Sequence, residues 1–244
     1  MHPKKNSIKI SAVFFGLVFT WLTITVVTSR EALASVLIRF SDFREIAPGI
    51  YLEPGGPPGD KDDFLSSYKE ARSRISNAYG EYSAQPIIIG GHSDKMLRYG
   101  NGFGSSHFQP WGAYVVVGPQ GRNVDVIAHE LVHAELFHRI GYWKRMTQIP
   151  AWFEEGVAMQ VDYRKPFDFE NFKGNAPTNK EKLWWQAQFN SGGGDAVTFN
   201  YAWSKEVVRS WRLGHSQSQF YELLKEISEG KSFEEAFAAS GNKS

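Results

Sequence analysis

Apolar positions recur at helical spacing from Asp60 to Tyr79, where Phe64, Leu65, Tyr68, Ala71, Ile75 and Tyr79 share one side, Asp residues stand at the start and Gly80 follows the end. That pattern predicts an amphipathic helix. Pro86-Ile87-Ile88-Ile89 is a short β-branched run stopped by Gly90-Gly91, and Trp111 to Val117, bounded by Gly104 to Pro110 and by Gly118-Pro119, is a second strand. A Gly-rich loop joins them. Asn123 or Asp125 caps the next helix, which runs to about Ile140 before Gly141. Pro150 opens another through about Val161, and helical periodicity returns around Lys180 to Asn190, Tyr201 to Leu213, Ser218 to Ser228 and Phe233 to Ala239. Ser232 and Glu235 are spaced as a capping box for the last of these. The order is helix, strands, helix and a helical C-terminal half, with no internal repeat, which predicts an α+β fold.

The N-terminal region breaks this pattern. Lys4, Lys5 and Lys9 precede a run from Ile10 to Val27 that contains no charge. A basic start followed by an apolar core describes a signal peptide, and the run also just reaches the length that spans a bilayer. Ala32-Leu33-Ala34 fits the small-x-small cleavage pattern, although Arg30 and Glu31 separate it from the apolar run. Residues 1–34 are therefore expected to be either a cleaved leader or a retained anchor, with the lysines inside and the rest of the chain exported to the periplasm, the outer face of the membrane or the medium. Residues 35–59 end in Glu53-Pro54-Gly55-Gly56-Pro57-Pro58-Gly59 and read as a turn-rich linker, leaving 60–244 as the folded domain.

Composition narrows the function classes. The chain has 244 residues, 42% hydrophobic, enough for a sizeable core in one domain. A net charge of +1, from 27 basic and 26 acidic residues, gives none of the electrostatic footprint that a nucleic-acid partner requires. Cysteine is absent, which excludes disulfides, thiolate metal sites and a cysteine nucleophile. A transition metal would have to be held by His and carboxylates.

His129-Glu130-Leu131-Val132-His133 supplies that chemistry. Two imidazoles four residues apart on a helix project from one face and can share one ion, and one zinc per chain suits the spacing. Glu130 lies about 100° further round, where it reaches a water on the metal without ligating the metal. Its expected role is general base. Val126, His129, His133, Phe137 and Ile140 form one stripe, and Ile127, Leu131 and Ala134 another, so the helix is buried on two sides. Histidines inside a helix of this kind are costly as plain core residues unless each has a polar partner. His138 falls roughly 140° from His133 and cannot share the ion. A hydrolytic zinc needs a third protein ligand and an open position, and one of the adjacent carboxylates Glu154 and Glu155, on the helix after Pro150, is the candidate.

Pro150, Trp152, Glu155, Gly156 and Ala158 match a Pro-x-Trp-x-x-Glu-Gly-x-Ala pattern, and with the His-Glu-x-x-His motif the chain resembles the gluzincin metallopeptidases, in particular the broad peptidase-MA-like group. The resemblance implies a zincin-like fold, in which a small mixed sheet packs on the motif helix ahead of a mainly helical C-terminal half. It implies Glu155 as third zinc ligand with His129 and His133, Glu154 as a neighbour facing elsewhere, either behind a ligand or toward solvent, and a peptide or protein substrate. It further implies a tyrosine that steadies the oxyanion, for which Tyr201 is the candidate and Tyr163 its competitor. By the same resemblance, the strand Trp111 to Val117 is the sheet edge along which an extended peptide lies. Two other readings stay open: a non-catalytic binding or assembly protein of the cell envelope, and a zinc hydrolase of a non-peptide amide or ester.

Overall fold

The computed structural model describes residues 30–172 and 183–241, with Gly16 and Thr20. The uncharged run Ile10 to Val27 lies outside the described residues apart from those two positions. Among the described residues no helix is long and apolar enough to cross a membrane. The fold is α+β, with a small mixed five-stranded sheet and a mainly helical C-terminal half.

The sheet order is β1 (Arg44–Ala47), β2 (Ile50–Leu52), β3 (Ile87–Gly90), β5 (Gly112–Val117) and β4 (Gly104–Gln109). The pair β1/β2 is antiparallel, β2/β3 and β3/β5 are parallel, and β4/β5 is antiparallel. The two β-branched runs occupy the middle, where both faces are covered. Ile88, Val115 and Val117 point into the large core with Ile50 and Leu52, while Ile89 and Val116 point into a smaller core with Tyr51, Met96 and Tyr99. Alternation along the strands thus divides the interior in two. Each such buried side chain contributes about 1.5–3 kcal/mol.

Two expectations are corrected here. Residues 35–59 are not a linker, because they supply β1 and β2 at one side of the sheet. Strands of three and four residues are too short for alternation to show, and only the run Glu53–Gly59 is the turn that was read into the whole segment. The strand expected over Trp111 to Val117 starts at Gly112 and is internal. The edge is β4, whose residues Gly-Ser-Ser-His-Phe-Gln come from the segment read as a Gly-rich loop. Its polar character is what an open sheet edge carries, and it hides the strand from a hydrophobicity pattern.

Helix α1 (Arg30–Val36) lies against β4, β5 and the 3-10 turn Asp94–Arg98, on the small-core side. Helices α2 (Asp60–Tyr79) and α3 (Val124–Ile140) pack together on the large-core side. Asn123 is the cap of α3, its side chain accepting from the Val126 amide at 3.1 Å, and Asp125 instead takes Arg74. Helix α4 (Tyr142–Gln148) leads into α5 (Ala151–Ala158), which carries the second motif. Then come the single turn α6 (Gln186–Phe189), α7 (Gly194–Leu213), α8 (Gln217–Ser228) and α9 (Phe233–Gly241). The helix expected from Lys180 is reduced to that turn, with 180–182 outside the described residues. The Ser232–Glu235 capping box is present.

Helix α7 covers α5 at close range. A Cβ at Gly156 would come within 2.5 Å of the Ser204 carbonyl oxygen, so only glycine allows this approach. Trp152 and Phe153 then key into Trp203, Trp211, Phe233 and Phe237 of the C-terminal helices. In this way the helical half clamps α5 against α3.

Candidate metal centre

Helix α3 presents His129 and His133 one turn apart, and α5 brings Glu155 to face them. The Nε2 atoms of the two histidines lie 3.1 Å apart, and Oε2 of Glu155 stands 3.2 Å from the first and 3.4 Å from the second. All three residues are buried. These buried residues could hold a metal ion.

The donor chemistry points the same way. His133 Nδ1 lies 2.7 Å from Oε1 of Glu154, whose carboxyl is held below its ordinary range. Burial opposes that charge, but Arg145 and His133 outweigh it. An ionised carboxylate only accepts, so Nδ1 of His133 carries hydrogen and Nε2 is the nitrogen turned toward Glu155. Glu155 Oε2 is buried and makes no hydrogen bond of good geometry. A buried carboxylate set between two imidazole nitrogens calls for positive charge among them, from a proton or from a metal ion. Tetrahedral donors about 2.0–2.1 Å from one zinc would be roughly 3.3 Å from each other, close to the spacing seen. Burial disfavours charge on His133, but Glu155 and Glu154 push it up to about 10, a measure of how strongly the pocket attracts positive charge. Glu155 is driven well below the carboxylate range despite its burial, chiefly by His133 and His129.

Each histidine has a carboxylate behind it and each carboxylate an arginine. Glu154 accepts from Arg145, whose guanidinium lies 3.7 Å over the Phe108 ring. Asp162, fully buried, has Oδ2 3.6 Å from Nδ1 of His129 and takes a forked contact from Arg164. Gln186 donates to the other oxygen of Glu155. A hydrogen bond such as that from His133 to Glu154 orients a metal-binding imidazole and raises its basicity, whereas Nδ1 of His129 makes no hydrogen bond among the described residues and meets Asp162 only through charge.

Glu130 projects into the same cleft of about 340 Å³, next to the triad and along β4. Its Oε2 accepts from the Ser106 hydroxyl at 2.6 Å. A Cβ at Gly104 would lie 2.7 Å from Glu130 Oε1, so the edge strand closes on this carboxylate only as glycine. Tyr201 lines the cleft with its ring centroid 6.0 Å from that of His129. Burial, then Glu155 and Glu130, raise its hydroxyl well above the ordinary tyrosine range, so it stays a donor. Among the described residues none accepts from it. Tyr163 is exposed, with Arg74 over its ring, and does not line the cleft.

The structure therefore brings together His129, Glu130, His133, Glu155 and Tyr201. His138 lines a separate groove with Trp111 and Phe137, His107 is tied to the Tyr99 carbonyl, and His92 sits beside Glu53. Sequence reasoning missed Ser106, Arg145, Asp162, Arg164 and Gln186. They come from separate segments, and only Glu154, adjacent to Glu155, carried a visible signal.

Comparison of the chain with protein-family models, with curated proteins and with solved structures gives no match.

Proposed function

We propose that this protein is a zinc-dependent hydrolase of peptide bonds, on a zincin-like arrangement of motif helix and sheet, with His129, His133 and Glu155 as metal ligands. The observation that carries the reading is the convergence of three buried side-chain atoms able to ligate a metal, within 3.1–3.4 Å of one another, with a further carboxylate, Glu130, left beside them. A structural zinc is closed by four protein ligands, and among the described residues the cluster offers three. That favours catalysis over a purely structural or binding role.

A zinc ion bound there would polarise the scissile carbonyl and make a bound water acidic at neutral pH. The chain's own groups do the rest. Glu130, steadied by Ser106, takes a proton from the water and delivers it to the leaving nitrogen. Hydroxyl thus adds to the carbonyl carbon, the C–N bond breaks and the amine leaves protonated. Tyr201 keeps its proton and donates a hydrogen bond to the developing oxyanion. The unpaired edge of β4, running past Glu130, offers backbone N–H and C=O groups to an extended peptide.

The reading is tested by metal analysis together with Glu130→Gln. The purified protein is expected to bind one zinc per chain and to cleave a peptide library in a chelator-sensitive way. The variant is expected to keep the zinc and lose activity by about 10²–10⁴-fold. Undiminished cleavage by the variant would overturn it.

A further inference from the structure

On the small-core side of the sheet, three large apolar residues point outward beside residues that fill the core. Phe40 is 87% exposed, Leu97 58% and Leu37 46%, while their neighbours Ile38 and Met96 are buried at 1% and 0%. Leu37 and Phe40 belong to one turn, the Phe40 amide donating to the Leu37 carbonyl at 2.9 Å. Leu37 and Leu97 line a shared groove of about 350 Å³ with Leu33 and Ala34 of α1, rimmed by Arg30, Glu31 and Arg98. Arg39 is exposed next to Phe40. The fold uses none of these outward side chains.

The chain itself indicates what covers them. The uncharged run Ile10 to Val27 ends two residues before α1 begins at Arg30, and the lysines precede it. A segment of that length and composition enters a bilayer, and two intervening residues span no more than about 7 Å. Helix α1 is itself part of the globule, with Ala32 at 6% exposure, Ser35 at 0% and contacts to β4 and β5. Cleavage after Ala34 would cut through this packed helix. An apolar run retained ahead of α1 would hold Arg30, and with it the groove that Arg30 lines, within about 7 Å of the membrane. Apolar side chains with Arg30, Arg39 and Arg98 beside them and Glu31 as the one acid in the groove lining are suited to such an interface, entering the headgroup layer while the guanidinium groups meet lipid phosphates.

From this we infer that the protein keeps its N-terminal segment as an anchor and seats the face formed by Leu37, Phe40 and Leu97 in the phospholipid surface. The partner is the lipid headgroup layer. Helix α3 lies across the sheet from α1, so the candidate metal centre belongs to the side turned away from the membrane and takes its substrate from the aqueous phase. This seating does not depend on hydrolysis, and a Glu130→Gln variant that loses activity leaves it unchanged.

The absence of cysteine permits a direct test on the full chain. Phe40→Cys, Leu97→Cys and, as a distant control, Leu213→Cys each receive a fluorophore, and the labelled proteins are reconstituted in vesicles of phosphatidylethanolamine and phosphatidylglycerol containing acyl-chain spin-labelled lipid. The residues are 87%, 58% and 80% exposed, so the substitutions spare the core. Quenching at positions 40 and 97 several-fold stronger than at 213 supports the inference. Equal quenching at all three, or none at 40 and 97 while the protein stays vesicle-bound, overturns it, and the second result also covers the case of a protein partner on this face. Hydrogen exchange of the unsubstituted chain gives a second reading: the amides around Leu37–Phe40 and Met96–Arg98 slow on reconstitution, and unchanged exchange overturns the seating. A native protein whose mass begins at Ser35 overturns the retained anchor.

Discussion

Oε1 of Glu154 stands 2.7 Å from Nδ1 of His133 and on its other side accepts from Arg145. This contact fixes which nitrogen of His133 faces Glu155, and so makes Glu154 part of the centre from behind a ligand. Its removal leaves the ligand set intact in composition but loosely aimed. Glu154→Ala is expected to weaken zinc binding by about 10–100-fold, the usual effect of deleting such a partner, and Asp162→Ala, whose carboxylate lies 3.6 Å from Nδ1 of His129 without a hydrogen bond, to weaken it less. Competition against a chromophoric chelator measures both. Affinity unchanged in the two variants would show the carboxylates to be structural only.

The local parts of this centre were legible because helical spacing is a local rule. His129, Glu130 and His133 are placed by one helix, and Pro150 to Ala158 by the next, so the ligands could be read without knowing how the chain folds. What could not be read depends on contacts between distant segments. Ser106 reaches Glu130 from β4, and that strand is invisible in the sequence because an edge carries polar residues. Arg145 on α4 and Arg164 after α5 meet their carboxylates only once the chain is folded. The small strands β1 and β2 escaped for a different reason: with three or four residues each, they contain no full cycle of alternation.

Metal binding should depend on pH through His133. Without metal its ring is pushed up to about 10, so at neutral pH a proton occupies the position that a cation needs. Binding must expel it. Below about 10, zinc affinity is therefore expected to rise by up to about tenfold per pH unit, and titrations in buffers of different ionisation enthalpy to show about one proton released per ion. An affinity independent of pH would contradict this.

Packing of the second motif can be probed separately from its chemistry. Gly156→Ala places a methyl group 2.5 Å from the Ser204 carbonyl, where backbone rather than a flexible side chain must move. A loss of about 1–3 kcal/mol in urea unfolding is expected, as for other overpacked sites. Weaker zinc binding should accompany it, because α5 carries Glu155.

Far from the centre, Glu53 sets an acid limit on stability. It is buried, which alone would raise its carboxyl, but the Ser93 hydroxyl and the His92 and Ser93 amides hold it below its ordinary value of 4.5. A carboxyl lowered in the folded state contributes stability that is complete above 4.5 and is lost as pH falls toward the folded value. Glu53→Gln should flatten the dependence of the urea midpoint on pH in that acid range, at some cost in stability at neutral pH. A slope identical to that of the parent would remove Glu53 from the account.

Tyr201 allows transition-state stabilisation to be separated from binding. Its ring packs against Phe189 and Phe167 as well as facing His129, so Tyr201→Phe keeps the packing and deletes only the hydroxyl. Zinc content and thermal midpoint should be unchanged, since the proposed ligands are His129, His133 and Glu155 and the aromatic packing of the ring is kept. A donor that acts on the oxyanion is stronger in the transition state than in the ground state, so kcat is expected to fall by about 10²–10³-fold with KM little altered. A rise in KM at constant kcat would instead make Tyr201 a substrate contact. No change in either would return it to the aromatic core, and the oxyanion would then have to be steadied from β4 or by the metal alone.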